Sequence, residues 1–140
     1  MGPDVSLEFD DIFYMRLFHR ERVSTKVTLQ NTIYRSFMNN HLFGNDPDVF
    51  LLRDENIKLS MSQREALGKL NALFGSVLFT SDNIATYDET KKLLFDKILQ
   101  IFYNAHNRRY ITKGNIIDIT YELYGEKQHI KYDIKKGVFR

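Results

Sequence analysis

The sequence predicts an α/β fold: the C-terminal portion of a (β/α)8 TIM barrel followed by the first strands of an antiparallel β-sandwich. Up to about residue 100, amphipathic helices alternate with short apolar runs, as in β-α units on a parallel sheet. Beyond residue 102 the hydrophobic period becomes two, which is typical of half-buried antiparallel strands. Two β-α units cannot close a parallel sheet, and a whole barrel needs about 250 residues. We therefore predict part of a barrel in residues 1–102 and the start of a β domain in residues 103–140.

Three helices are predicted from apolar residues that recur at three- and four-residue steps. They cover about residues 25–39, 61–74 and 88–100. The second has the clearest beginning, because Ser60 and Gln63 have the spacing of a capping box.

The predicted strands differ between the two parts of the chain. In the first part, residues 77–80 form a continuous apolar run, the pattern of a strand that is covered on both faces. Residues 41–43 are too few for anything but a strand. In the second part, alternation predicts strands at about 108–111, 116–124 and 129–134, with a hairpin turn at 125–127.

An acidic turn, Asn45-Asp46-Pro47-Asp48, follows the first short apolar segment. Proline restricts the residue before it to extended geometry, so the two carboxylates are held at a defined angle. Barrels place their working residues in loops at the carboxyl ends of strands, and this turn has such a position. Local chemistry alone favours a polar turn with capping aspartates. The same holds for Asp82, which follows the apolar run 77–80.

Composition excludes several classes of function. The 140 residues are 43% hydrophobic, which is enough for one core, and the formal net charge of +2 comes without a basic stripe, so we expect no nucleic-acid partner. No apolar stretch is long enough to span a bilayer. The chain has no Cys, and its four His are scattered, so no metal site is expected. The absence of Cys is compatible with the cytoplasm, where we expect the protein to be located.

Several segments also occur in an order that is found in a known family. They are Met1-Gly2-Pro3-Asp4-Val5, residues 29–38, Asn45-Asp46-Pro47-Asp48 with Leu51-Leu52-Arg53, Leu73-Phe74-Gly75, and residues 78–82. This series resembles the C-terminal part of the catalytic domain of the melibiase-type α-galactosidases. These are retaining glycoside hydrolases with a (β/α)8 barrel and a following antiparallel β domain. The resemblance covers about residues 1–100, and the N-D-P-D turn is its most specific piece.

The resemblance implies strands six to eight of the barrel and a role for each matching residue. Asp4 resembles the general acid/base at the end of the sixth strand. The N-D-P-D turn would end the seventh strand and Asp82 would follow the eighth, so Asn45, Asp46, Asp48 and Asp82 are expected to bind substrate or to organise the barrel rim. The family's nucleophile lies on an earlier strand, in a segment that these 140 residues do not contain.

The implied function is retaining hydrolysis of terminal α-galactosides in oligosaccharides, without a cofactor. The resemblance is also compatible with a homo-oligomeric full-length parent protein. The chain alone is then expected to be inactive. One departure concerns the aromatic residue before the N-D-P-D turn, commonly Trp in the family; here the nearest is Phe43, and the chain has no Trp. The alternative is a free-standing α+β binding or assembly module without catalysis.

Overall fold

The computed structural model describes residues 25–38, 44–47 and 49–140, which form a helical part followed by an antiparallel sheet. The helices are α1 (Thr25–Tyr34), α2 (Met61–Phe74) and α3 (Glu89–Asn104), with 3-10 turns at Ser36–Met38 and Ile84–Thr86. The strands are β1 (Ala105–Lys113), β2 (Ile116–Leu123), β3 (Glu126–Asp133) and β4 (Val138–Phe139). The predicted mixture of helices and strands, with an antiparallel sheet in the second part, is confirmed at that level.

Helix α2 begins and ends where the sequence predicts. The Ser60 hydroxyl accepts a hydrogen bond from the Gln63 amide at 3.3 Å, and the Gln63 side-chain oxygen accepts one from the Ser60 amide at 2.9 Å. This is the predicted capping box.

The other two helices differ from their predicted lengths. Helix α1 is shorter than predicted and continues as a 3-10 turn. There the Thr32 hydroxyl donates to the Thr28 carbonyl and the Ser36 hydroxyl donates to the Ile33 carbonyl, and such bonds compete with regular helix geometry. Helix α3 runs four residues further than predicted, to Asn104.

The sheet is an antiparallel meander in the order β1-β2-β3-β4. In β2 the buried side chains are those of Ile117, Ile119 and Tyr121, which confirms the predicted period of two. Strand β3 begins three residues before the predicted start. Tyr124 and Gly125 both have positive φ, at 52° and 82°, so they form a two-residue turn and Leu123 pairs directly with Glu126.

One hydrophobic core joins the helices to the sheet. Helix α2 lies at its centre, with Leu67, Leu70 and Leu73 almost fully buried. The same cluster contains Ile33 of α1 and Ile119 of β2. The predicted boundary at residues 102–103 falls within the last turn of α3, and apolar packing continues across it. The division into two domains stays a prediction.

The parallel pairing that the sequence predicts is reduced to one bridge among the described residues. Phe50 and Thr80 form an isolated parallel bridge, and the Phe50 amide donates to the Phe79 carbonyl at 3.0 Å. Helix α2 lies between them in the sequence, as in a β-α-β unit. The predicted strand at 41–43 lies outside the described residues, and the barrel itself stays a prediction.

We predict that Gly75→Ala lowers the free energy of unfolding by about 1–3 kcal/mol. A Cβ at this position would lie 2.6 Å from Cγ of Pro47 and 2.7 Å from the backbone oxygen of Asn71, so backbone would have to shift. Urea denaturation measures the change. Gly44→Ala is the matched control: its Cβ would come no closer than 3.5 Å to another side chain, and we expect a change within about 0.5 kcal/mol. Equal stability of the two variants would contradict the close packing of Pro47 on Gly75.

Candidate functional site

The Asp82 carboxylate links the two extended segments that the parallel bridge aligns. Its side chain is 0% exposed. Its Oδ2 accepts hydrogen bonds from the backbone amides of Leu52 (2.5 Å) and Arg53 (2.9 Å) and from the Tyr87 hydroxyl (2.7 Å). Parallel segments end at the same edge, so the residue after Thr80-Ser81 meets the residues that follow Phe50. Asp82 therefore closes the carboxyl-end edge of this pair.

Hydrogen-bond donors surround the Asp82 carboxylate. Three donors converge on Oδ2, and Nε of Arg53 lies 3.8 Å from Oδ1. Burial, followed by the hydrogen bond to Asp82, raises the pKa of the Tyr87 hydroxyl well above its usual value, so Tyr87 remains a donor. The bonds of this carboxylate go to the protein itself, and its complete burial keeps it from direct contact with a ligand.

A second cluster binds the carbonyl groups of Leu52 and Arg53, the two residues whose amides bind Asp82. Nη1 of Arg64 donates to the carbonyls of Leu52 (3.2 Å) and Arg53 (2.8 Å) and to Asp54 Oδ1 (2.6 Å). The other oxygen of Asp54 accepts from Nζ of Lys91 at 2.6 Å. Hydrogen bonds from Arg64 and then Lys91 lower the pKa of Asp54. Sequence patterns did not predict this cluster, although Arg64 stands at a core-facing position of the apolar stripe of α2.

Asn45 of the N-D-P-D turn is buried and braces the helical part. Its Nδ2 donates to the carbonyls of Thr32 (2.8 Å) and Phe74 (2.9 Å). Its backbone amide donates to the Ser76 hydroxyl at 3.0 Å, and its carbonyl accepts from the Ser76 amide at 2.7 Å. The turn is thus fixed against the chain immediately before residues 77–80.

The structure does not bring together the acidic positions that the sequence placed on one rim. Asn45 contacts Ser76, which precedes the 77–80 segment, whereas Asp82 follows that segment. The two polar positions therefore lie at opposite ends of the paired segments. The segment that pairs with Thr80 follows the turn, at Phe50, instead of preceding it. The role of these residues at a barrel rim stays a prediction. Asp4 and Asp48 lie outside the described residues.

Asp46 is the described carboxylate of the turn that faces solvent. It borders a groove of about 410 Å³ that Thr28, Pro47, Val49 and Phe79 also line. The Phe79 side chain is 55% exposed although it follows two partly buried apolar residues. The groove therefore presents an open aromatic surface beside a hydrogen-bond acceptor, the combination from which small-molecule sites are built.

Comparison with known proteins found no match to a protein-family model and none to a curated protein. Within residues 25–38, 44–47 and 49–140, no group of three or more His, Asp or Glu side chains is arranged to hold a metal ion. None of the helices in that part of the chain has the length and apolar character needed to cross a membrane.

We predict that Asp82→Ala lowers the free energy of unfolding by about 3 kcal/mol, since three donors lose a charged acceptor in a buried place. Asp46→Ala is the control, because that carboxylate is exposed, and should change stability by no more than about 0.5 kcal/mol. Chemical denaturation followed by circular dichroism compares the two variants. Similar losses in both would show that Asp82 does not hold the loop.

Two buried tyrosines provide a matched test of hydrogen bonding. Tyr87→Phe removes a donor to the Asp82 carboxylate and should cost about 1.5–3 kcal/mol. The Tyr132 hydroxyl is also buried, but no described residue forms a hydrogen bond with it. Tyr132→Phe should therefore be neutral or stabilising. A loss in the Tyr132 variant as large as in the Tyr87 variant would contradict this difference.

The same two tyrosines predict how stability depends on high pH. Burial raises the pKa of both hydroxyls, and the Asp82 contact adds to this at Tyr87. The unfolded chain loses these protons near pH 10, while the folded chain keeps them. The unfolded state then binds fewer protons, so stability falls as the pH rises above about 10. In denaturation between about pH 9 and pH 11, each Phe variant should show a shallower decline than the parent chain.

Proposed function

We propose that this chain is part of a retaining glycoside hydrolase that resembles the melibiase-type α-galactosidases and cleaves terminal α-galactosides of oligosaccharides without a cofactor. One observation carries the proposal. Phe50 and Thr80 pair in parallel across helix α2, and Asp82 follows the second segment, as the resemblance implies. Parallel segments joined by a helix are the unit from which a (β/α)8 barrel is built.

The groove beside Asp46 supports a carbohydrate ligand. A sugar ring has an apolar face of C–H groups and a rim of hydroxyl donors. The exposed ring of Phe79 would contact the apolar face of the sugar, and the carboxylate oxygens of Asp46 would accept hydrogen bonds from its hydroxyl groups. Phe79 is the aromatic residue of the described lining, so it is the residue on which a sugar would lie in this groove.

The proposal gives the acidic residues different roles. Asp4 would act as general acid, protonating the glycosidic oxygen while the nucleophile of an earlier strand attacks the anomeric carbon, and then as base toward water. Asp46 and Asp48 would contact the substrate, whereas Asn45 and Asp82 would hold the loops that carry them, in line with their buried bonds to backbone. A chain without the nucleophile cannot form the covalent intermediate.

The test is hydrolysis of an aryl α-galactoside. The purified 140-residue chain should show no turnover above background. A longer polypeptide from the same reading frame, which includes the upstream strand-end carboxylate, should hydrolyse this substrate. The anomeric configuration should be retained, so NMR should detect α-galactose as the first product. In that polypeptide Asp4→Ala should slow hydrolysis of an unactivated α-galactoside by about 10²–10⁴-fold.

The control for that substitution is Asp96→Ala, on the exposed face of α3, which should leave activity unchanged. With an activated aryl α-galactoside, whose leaving group needs no acid, added azide should partly restore turnover to the Asp4 variant and yield α-galactosyl azide, since azide attacks the intermediate without needing a base. Turnover by the 140-residue chain, or full activity of the Asp4 variant, would reject the proposal.

A second candidate is a free-standing α+β binding or assembly module. The observation that favours it is the single core shared by α1, α2 and the sheet. A monomer that unfolds in one cooperative transition would support this candidate. Self-association through the segments around Phe50 and Thr80 would instead support the hydrolase portion, because open parallel segments expose unpaired backbone.

A further inference from the structure

A second groove, distinct from the one beside Asp46, lies between the helical part and strand β1. Its volume is about 980 Å³, the upper end of the usual range for small-molecule sites. Its apolar lining includes Phe37, Phe74 and Tyr110; the Phe74 and Tyr110 rings pack edge to face, with 6.0 Å between their centroids. Arg108 and Arg109 also line the groove.

A β-bulge places the two arginines at this groove. The register of β1 against β2 shifts between His106 and Arg109, and Asn107 in the bulge has a φ of 51°. Its side chain donates to Glu122 at 2.8 Å, which fixes the distorted backbone. Bulges redirect side chains and are frequent beside functional sites.

Not every buried hydrogen-bond donor of the Arg108 guanidinium has an acceptor among the described residues. Its Nη2 donates to the Ala105 carbonyl at 2.9 Å, but its Nε is buried and no described residue accepts a hydrogen bond from it. Burial also lowers the pKa of Arg108, which indicates a charge held away from water without a compensating anion. Such a charge is costly unless it is paired.

The groove has an excess of positive charge among the described residues. Neither Arg108 nor Arg109 forms an ion pair with a described carboxylate. The lining residue Asp118 is bonded to His129, which lowers its pKa, and the charges of Lys131 and Lys113 lower it further. The described lining therefore carries two guanidinium groups against the single carboxylate of Asp118.

We propose that this groove binds a small anionic ligand whose phosphate or carboxylate group lies against Arg108 and Arg109 and whose apolar part contacts Phe37 and Tyr110. The planar, multi-donor guanidinium suits an oxyanion better than any other ligand group. Phe37 is 71% exposed and would be covered by the apolar part. The site shares no residue with the proposed galactoside site and does not depend on it.

Titration of the full 140-residue chain with phenyl phosphate, followed by calorimetry and by NMR shifts of the His129 ring, tests the proposal. We expect saturable binding, at least about tenfold tighter than that of phenol, because the charge-assisted bonds come from the phosphate. Arg108→Gln should weaken binding by about tenfold. Lys97→Gln removes an exposed charge of α3 outside the groove and should leave affinity unchanged within about twofold.

Arg109→Gln is the second variant, because Arg108 also holds the Ala105 carbonyl and its loss could disturb β1. Arg109 is exposed, so its replacement should leave the fold intact and weaken phenyl phosphate binding by about threefold or more. Equal affinity for phenol and phenyl phosphate would show an apolar groove without anion recognition and would overturn the proposal. Unchanged affinity in both glutamine variants would also overturn it.

Discussion

The helical part of this protein depends on one buried carboxylate, that of Asp82. The extended segments around Phe50 and Thr80 share a single parallel bridge, and one backbone hydrogen bond contributes only about 1 kcal/mol. Asp82 adds two charge-assisted bonds to the amides of Leu52 and Arg53. Side-chain-to-backbone bonds therefore replace the ladder that would join these segments in a regular sheet. Arg64 completes the arrangement by binding the carbonyls of the same loop.

Asn45 does at one end of the paired segments what Asp82 does at the other. Both side chains are buried, and both bind backbone groups about thirty residues away in sequence. A polar side chain whose bonds are directed into the protein positions a site without taking part in its chemistry. Among the described acidic residues of the predicted rim, Asp46 is the one with oxygens available to a ligand, and this separates a scaffold role from a binding role within one short motif.

Structural features that depend on sequence neighbours were predicted correctly, whereas contacts between segments far apart in the sequence were not. The Ser60 capping box and the alternation of β2 depend on neighbours within a few residues, and both were predicted. The bond between Arg64 and Asp54 joins a helix to a loop ten residues earlier, and no local pattern encodes it. The start of β3 was missed because its turn places Tyr124 at positive φ, a conformation that composition assigns to Gly or Asn. The opposite positions of Asn45 and Asp82 depend on which segments pair, and hydrophobic pattern alone does not specify that.

Backbone strain and unpaired buried charge are useful guides to function, because both lower stability unless something compensates for them. At Asp82 the unusual feature is a buried carboxylate, whose Oδ2 binds three donors and whose Oδ1 lies 3.8 Å from Nε of Arg53. In strand β1 the bulge and the left-handed Asn107 are held by the bond to Glu122, but no described group accepts a hydrogen bond from the buried Nε of Arg108. A well-packed hydrophobic side chain would suit that position better for stability alone. The proposed anion would supply the partner that Arg108 lacks among the described residues.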